Sequence, residues 1–260
     1  MIYLENDRLE FRFPDLHENA GVSISFKRTL RLPDEGETYP LPPALGDFPL
    51  RHIEDFDLKD RDHLKKRGGV IMPMFQADAL WINFNSLQIT SDQEYPVAIK
   101  IGTGKICAVS GEHWSTTLNR DPQDYVVAPD QPWIDGYNVG KSQVRQFVAA
   151  PLGDGYTAEE QLTGKSNIGG IQIQAFPMKK EYYDHINQFS NGDLDLCYSM
   201  ETAEMGLAPG GVMHQEIYED EHEFEAWDLR KSDRCFVTIA NANQWMEITG
   251  EEPPINFYTT

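Results

Sequence analysis

Hydrophobic and polar residues alternate most regularly in the sequence VSISFKRTLRL, from Val22 to Leu32. The apolar residues share one parity, which only Arg28 interrupts: Val22, Ile24, Phe26, Leu30 and Leu32. Successive side chains of a strand point to opposite faces, so a period of two over eleven residues predicts a half-buried strand. We expect the other face, which carries Ser23 and Ser25, to be in contact with water.

A series of short apolar runs follows in the middle of the chain. Turn residues such as Gly102-Thr103-Gly104 separate these runs, and no long helical pattern intervenes. The predicted strands are Val70–Met74, Ala79–Phe84, Tyr95–Ile101, Lys105–Val109, Tyr125–Ala128, Val144–Ala150, Ile171–Met178, Val212–Tyr218 and Arg234–Ala240. This spacing favours a mainly β fold, either a β-sandwich or barrel-like antiparallel sheets, with a few short helices. No linker divides the sequence, so residues 1–260 are expected to form a single domain.

Three segments predict the short helices. A surface helix is expected within Ile53–Arg67, ending at Gly68-Gly69, and a second within Lys180–Phe189. The third covers Asn241–Thr249, where Asn241 or Asn243 is the N-cap and Gly250 ends the helix. The proline-rich segment Pro33–Pro49 fits neither a helix nor a central strand.

Acidic residues dominate the charge of the chain, which is −20 at pH 7. Thirteen of them lie between Glu181 and Asp228, where there is no Lys or Arg. A surface of this sign repels phosphate backbones and anionic membranes, so we expect neither nucleic acid nor a membrane as a partner. A solvated acidic face is the simplest interpretation, while a basic protein partner or a divalent metal stays open.

The remaining composition indicates a soluble protein of the cytoplasm. No apolar run is long enough for a membrane helix, and the N-terminus MIYLENDRLEFRF has no secretory pattern. The three cysteines, Cys107, Cys197 and Cys235, are far apart and odd in number, which argues against disulfides or a cysteine-rich zinc site. Cys107 lies within a predicted strand and is expected to be a small core residue.

Sequence motifs for phosphate or metal binding are weak. Gly102-Thr-Gly104-Lys105 lacks the spacing of a phosphate-binding loop, and no H-E-x-x-H occurs. Asn191-Gly-Asp193-Leu-Asp195 resembles the start of a calcium loop, but Cys197 and Tyr198 occupy positions that require an oxygen ligand and glycine. His214 and Glu216 would share one face of a strand, yet two groups do not make a metal site. The sequence therefore names no metal ligand and no cofactor.

The loops between residues 111 and 147 are the predicted ligand or partner site. They combine aromatic, amide and charged side chains outside the predicted strands, as binding sites on β scaffolds do. The candidate binding residues are His113, Trp114, Gln131, Trp133, Asp135 and Arg145. Chain connectivity further predicts that Trp114, Trp133 and Arg145 lie close together. The alternative is that the two tryptophans only close one end of the β structure.

Several longer phrases resemble a family of uncharacterised proteins. The resemblance is carried by FPLRHIEDF (Phe48–Phe56), GGVIMPMFQADALWINF (Gly68–Phe84), QPWIDG (Gln131–Gly136), RQFVAAPLGDGYTAEEQLTG (Arg145–Gly164), GGIQIQAFPM (Gly169–Met178) and MGLAPGGVMHQEIY (Met205–Tyr218). The resemblance extends over most of the chain, and these phrases are its most specific parts. The resemblance implies no catalytic residue, cofactor or substrate.

Three hypotheses on function follow. A binding or assembly protein, with its site in the loops between 111 and 147, agrees best with the absence of a catalytic motif. The second is an enzyme of unspecified reaction that uses Glu112, His113, Asp135 and Arg145 as acid–base and charged groups in the same loops. Convergence of these four side chains in one pocket would favour catalysis. The third is a structural protein stabilised by a metal ion.

Overall fold

The computed structural model describes residues 1–58, 61–90, 93–165, 168–187 and 207–254. The strands are β1 Ile2–Glu5, β2 Arg8–Arg12, β3 Gly21–Thr29, β4 Thr38–Tyr39, β5 Ala44–Asp47, β6 Arg51–His52, β7 Val70–Pro73, β8 Ala79–Ser86, β9 Gln88–Thr90, β10 Gln93–Glu94, β11 Val97–Thr103, β12 Ile106–Cys107, β13 Val126–Ala128, β14 Trp133–Ile134, β15 Gly136–Gly140, β16 Gln143–Ala149, β17 Ile171–Pro177, β18 Leu207–His214 and β19 Asp233–Ala240. The helices are α1 Asp62–Arg67, α2 Ala158–Thr163, α3 Lys180–Asn187 and α4 Ala242–Thr249, with 3₁₀ turns at Ile53–Asp55 and Phe224–Ala226.

Two large sheets form the fold, which confirms the predicted mainly β class. The first has ten strands in the order β1-β2-β3-β8-β16-β18-β4, with β5, β14 and β15 beside β3, β8 and β16. The second has seven strands in the order β12-β11-β17-β19-β7-β6, with β13 beside β11. Neither sheet closes on itself within the described ranges, so the arrangement is sandwich-like rather than a barrel. The pairs β18–β4 and β19–β7 are parallel, and the other ladders are antiparallel.

The hydrophobic core lies between the two sheets. Strand β3 contributes Val22, Ile24 and Phe26, as the alternating pattern predicts, and all three are fully buried. The hydroxyls of Thr103 in β11 and Tyr137 in β15 are 2.7 Å apart, which joins the two sheets across this core. Burial of apolar area of this kind is the main favourable contribution to folding.

The second face of β3 differs from the prediction. Ser23 and Ser25 are buried rather than in contact with water, and their hydroxyls have no hydrogen-bond partner in the described part of the chain. The prediction of a solvated face was wrong because strand periodicity separates two faces but does not indicate what covers the second one. Arg28, the exception in the apolar pattern, is also buried, and its Nη2 donates to both carboxylate oxygens of Asp78 at 3.0 and 3.1 Å.

A smaller apolar cluster lies under α1 and α4, outside the seven-stranded sheet. Its buried members are Ile53, Leu58, Leu64, Ile71, Ala240 and Trp245. Helix α4 begins and ends as the sequence predicts. The Asn241 side chain accepts from the Gln244 N–H, and Gly250 adopts a left-handed conformation after the last turn.

Strand β18 has other bounds than the prediction. It ends at His214, whereas the expected strand ran from Val212 to Tyr218. Glu216 therefore lies beyond the strand and does not share a strand face with His214.

Helix α2 was not predicted, although Thr157 and Glu160 form a capping box at its start. The calcium-loop candidate at 191–195 lies outside the described residues. Among the described helices, none is long and apolar enough to cross a membrane.

Candidate functional site

A cavity of about 610 Å³ opens where α1, α2 and α4 meet the edge of the sandwich. We call it the Glu159 cavity. Its polar lining includes Arg61, His63, Arg67, Glu159, Thr238 and Gln244. Its apolar lining includes Leu64, Ile71, Met74, Leu152, Ile239 and Ile248. The volume and the mixture of an apolar wall with a few polar groups are typical of sites for small molecules.

Glu159 is the most deeply buried charged residue of this cavity, at 2% exposure. The capping box at the start of α2 fixes its backbone, and its Oε2 accepts from the backbone N–H groups of Gly169 at 2.9 Å and Ile168 at 3.4 Å. The second oxygen, Oε1, is buried and has no partner in the described part of the chain. A buried acceptor without a donor destabilises the protein, and such groups are rare in native structures.

Gly104 makes room for this carboxylate. It follows β11 with a φ of +56°, and a Cβ atom at this position would lie 2.3 Å from Glu159 Oε2. Glycine is therefore required at position 104 for two reasons: the backbone is left-handed there, and the Glu159 side chain leaves no room for a Cβ atom. The turn that resembled part of a phosphate-binding loop instead supports a carboxylate.

Thr238 supplies a second polar atom without a partner. It lies on β19 next to Ile239, and its Oγ1 is buried and unpaired within the described ranges. Because a hydroxyl both donates and accepts, this atom can bind either kind of group.

Arg67 lies at the end of α1 and contacts the same loop as Glu159. Its Nη1 donates to the carbonyl oxygen of Ile168 at 3.2 Å, and its guanidinium carbon lies 4.3 Å from the centre of the Phe236 ring. Burial lowers the pKa of Arg67, and the nearby Glu159 partly opposes this effect. A cation and an anion thus interact across this side of the cavity. No ion pair within 4.0 Å joins them among the described side chains.

The predicted site residue Trp114 packs on the outer face of the seven-stranded sheet. A Cβ at Gly102 would lie 2.3 Å from its ring, so the glycine allows the indole to cover the strand. The Nζ atom of Lys100 is 5.4 Å from the ring centre. Lys100 is fully buried, donates to Ser115 Oγ at 2.7 Å and forms an ion pair with Asp124. Trp114 therefore closes a buried polar cluster.

Trp133, Gln131 and Asp135 come together on the outer face of the ten-stranded sheet. Trp133 lies beside Trp81, with ring centres 6.4 Å apart. The side-chain amides of Gln131 and Gln215 both donate to Trp133 O at 3.1 Å. The Asp135 backbone N–H donates to Gln215 Oε1 at 2.8 Å. Three of the six predicted residues thus belong to one cluster.

Asp135 is the buried acidic side chain of this cluster, and its pKa is shifted. Asp135 is 2% exposed, and neither its Oδ1 nor the Trp133 Nε1 has a partner within ordinary hydrogen-bond geometry among the described residues, although the indole is close enough to act on the carboxyl group. Burial raises the pKa of Asp135 from 3.8 to about 7, although the Trp133 indole acts in the opposite direction. The carboxyl group thus titrates near neutral pH.

The other predicted residues lie elsewhere. Arg145 is on β16 with its Nη1 3.8 Å from Asp34 Oδ2, and His113 is exposed next to Ile106. Trp114 and Trp133 occupy the outer faces of different sheets. The structure therefore does not bring Trp114, Trp133 and Arg145 together.

The acid–base group of the enzyme hypothesis does not assemble either. Glu112 and His113 are exposed at a turn, whereas Asp135 is buried. No hydrogen bond or ion pair links these side chains to one another or to Arg145 within the described ranges. In that part of the chain there is also no group of three or more His, Cys, Asp or Glu that could hold a metal ion.

The acidic stretch is partly structural. Asp220 is buried, and its Oδ2 accepts from the Tyr125 hydroxyl at 2.6 Å and from the Trp227 indole at 2.8 Å. These two hydrogen bonds anchor the segment after β18 to the sandwich. Residues 188–206 of the stretch lie outside the described part of the chain.

Sequence reasoning did not identify the Glu159 cavity. One signal was present, because Thr157-Ala-Glu-Glu160 has the spacing of a capping box and so predicts the start of a helix. Nothing in the sequence indicated that Glu159 would meet Gly104, Ile168 and Arg67.

Comparisons with family models, with curated proteins and with solved structures returned no match. The resemblance to a family of uncharacterised proteins stays a prediction.

Proposed function

We propose that this chain binds a small amphipathic molecule in the Glu159 cavity. The observation that carries the proposal is that two residues of its wall, Glu159 and Thr238, each have a buried side-chain oxygen without a partner among the described residues, Oε1 and Oγ1. Each buried polar atom without a partner costs about 1–3 kcal/mol, and a ligand that supplies the missing hydrogen bonds offsets this cost. An ordered water could do the same for one atom, but it would leave the apolar wall without a partner.

The walls of the cavity support a ligand with an apolar part. Leu64 and Ile248 face it from α1 and α4, while Met74 and Ile239 lie at the ends of β7 and β19. These residues belong to different elements, so the apolar surface has a fixed shape set by the sandwich. Binding to such a preformed surface loses less conformational entropy than binding to a mobile loop.

The experiment is a ligand-observed NMR screen of small amphipathic fragments against the wild-type protein and two variants. Glu159→Gln keeps the shape of the side chain but replaces one acceptor by a donor, and Thr238→Val removes the hydroxyl. We expect fragments that bind the wild type to be lost or weakened in both variants. Glu112→Gln is the matched control, since Glu112 is exposed and outside the cavity. Fragments that bind all four proteins equally would contradict the proposal.

The loops between 111 and 147 stay a second candidate site, because Asp135 is buried beside Trp133 and its Oδ1 has no partner within ordinary hydrogen-bond geometry in the described part of the chain. A molecule bound there would shift the indole resonance of Trp133 in the same screen. Loss of that shift in Asp135→Asn, with binding at Glu159 unchanged, would favour this second site. A protein partner and a cytoplasmic location also stay predictions.

A further inference from the structure

We propose that the ligand of the Glu159 cavity is a compact zwitterion, with a protonated amine held by Glu159 and an acid group held by Arg67. This inference rests on the proposed function and names the chemical class of the molecule. It follows from the charges of the two residues, from their separation and from the apolar wall beside them.

Glu159 defines the end that carries the amine. An ionised carboxylate only accepts hydrogen bonds, and two backbone N–H groups already use Oε2. The free Oε1 therefore requires a donor. Hydrogen bonds between a carboxylate and an ammonium group are shorter and stronger than those between neutral groups, so a protonated amine suits this buried position better than a hydroxyl.

Arg67 defines the end that carries the acid. One of its donors reaches the carbonyl oxygen of Ile168, and its guanidinium carbon lies over the Phe236 ring. These two contacts hold the guanidinium, which can bind a carboxylate through two parallel hydrogen bonds. Arg61 and His63, which precede Arg67 in the chain, also line the cavity, and Arg61 is paired with Glu247. In a chain with a net charge of −20, Arg67 is therefore the cation of this lining that is left to attract an anionic group.

The distance between the two charges limits the size of the ligand. Glu159 Oε2 lies 3.4 Å from the nitrogen of Ile168, and Arg67 Nη1 lies 3.2 Å from the carbonyl oxygen of the same residue. With ordinary backbone dimensions, the carboxylate and the guanidinium are then at most about 10 Å apart. A molecule that bridges them has a chain of a few carbon atoms, for which Leu152 and Ile239 provide apolar contacts.

The test is isothermal titration calorimetry with unbranched ω-amino acids: glycine, 4-aminobutanoate and 6-aminohexanoate. Hexylamine and hexanoate, at the same chain length as the longest member, carry only one of the two charges. We expect one of the two longer ω-amino acids to bind roughly 10- to 100-fold more tightly than either single-charge molecule, because a hydrogen bond to a charged group is lost in each. If neither 4-aminobutanoate nor 6-aminohexanoate binds more tightly than hexylamine, the role of Arg67 is overturned.

Variants assign each charge to its residue. Glu159→Gln should weaken binding of hexylamine and of the tighter ω-amino acid, but not of hexanoate. Arg67→Gln should weaken binding of hexanoate and of the same ω-amino acid, but not of hexylamine. Lys66→Gln is the control, because Lys66 is a neighbouring exposed cation outside the cavity. If Arg67→Gln is destabilised by the loss of the contact with Phe236, Arg67→Lys serves as a second variant. It keeps the positive charge and should retain part of the affinity for hexanoate.

The possible failures are distinguishable. If neutral fragments bind the cavity and respond to Glu159→Gln, but no ω-amino acid exceeds the single-charge molecules, the zwitterion is overturned and the proposed function stands. If neither fragments nor ω-amino acids respond to Glu159→Gln or Thr238→Val, both proposals are overturned.

Discussion

Replacement of Asp135 by asparagine should remove a pH-dependent loss of stability. Asp135 is buried, and its pKa is raised from 3.8 to about 7 in the folded protein. In the unfolded chain the carboxyl group ionises near its ordinary pKa of about 3.9. The folded state therefore binds the extra proton between these two values, and the wild-type protein loses stability as the pH rises through this window. Below the window Asp135 is neutral in both the folded and the unfolded state. Above it Asp135 is ionised in both states, and the loss of stability is complete.

The magnitude follows from the two pKa values. A difference from 3.8 to about 7 corresponds to about 4 kcal/mol of unfolding free energy, at about 1.4 kcal/mol for each pH unit. About 2 kcal/mol of this falls between pH 5.5 and 7, where the measurement is convenient. Asparagine has nearly the same shape and no charge, so Asp135→Asn should become progressively more stable than the wild type over this range.

The assay is urea unfolding at half-unit pH steps from 5.5 to 8.5, followed by tryptophan fluorescence. The difference in unfolding free energy between Asp135→Asn and the wild type should rise by about 2 kcal/mol up to pH 7 and then level off. Asp154→Asn, at an exposed turn, should show a flat difference. A flat profile for Asp135→Asn, or one that continues to rise from pH 8 to 8.5, would refute the assigned pKa. Equal m-values are needed to compare the curves.

Two further changes test the packing around charged side chains. Arg28→Met should destabilise the protein by about 3–5 kcal/mol in urea unfolding, because it leaves the buried Asp78 carboxylate without its guanidinium, and the double variant with Asp78→Asn should recover part of the loss. Gly104→Ala should lower the melting temperature more than Gly111→Ala. Both glycines have positive φ, but only at position 104 would the new methyl group meet Glu159. Equal melting temperatures would mean that Glu159 moves away without cost.

The sequence by itself determined the β class and much of the secondary structure. The alternation in β3 placed Val22, Ile24 and Phe26 in the core, because side chains alternate across a strand wherever it lies in a sheet. The N-cap Asn241 and the terminal Gly250 fixed α4 for an equally local reason, since capping depends on residues within one helical turn. Such features depend only on neighbours along the chain.

The candidate sites were decided by tertiary structure. Six residues were chosen from the loops between 111 and 147, but the two sheets separated Trp114 from Trp133, while Asp135 and Trp133 came together on the ten-stranded sheet. Ser25 has the alternation of a solvated position and is nevertheless buried. Periodicity assigns a residue to a face, but it does not indicate which distant segment covers that face.

The Glu159 cavity depends entirely on contacts that are distant in sequence. Glu159 is held against Gly104 of one turn and Ile168 of another loop, while Arg67 reaches the same loop from a helix about a hundred residues earlier. A lone Glu in an amphipathic helix and a lone Arg at a helix end are ordinary surface residues when only the sequence is read. Packing of α1, α2 and α4 against the edge of the sandwich buries Glu159 and half-buries Arg67, and it makes both residues part of the polar wall of a cavity.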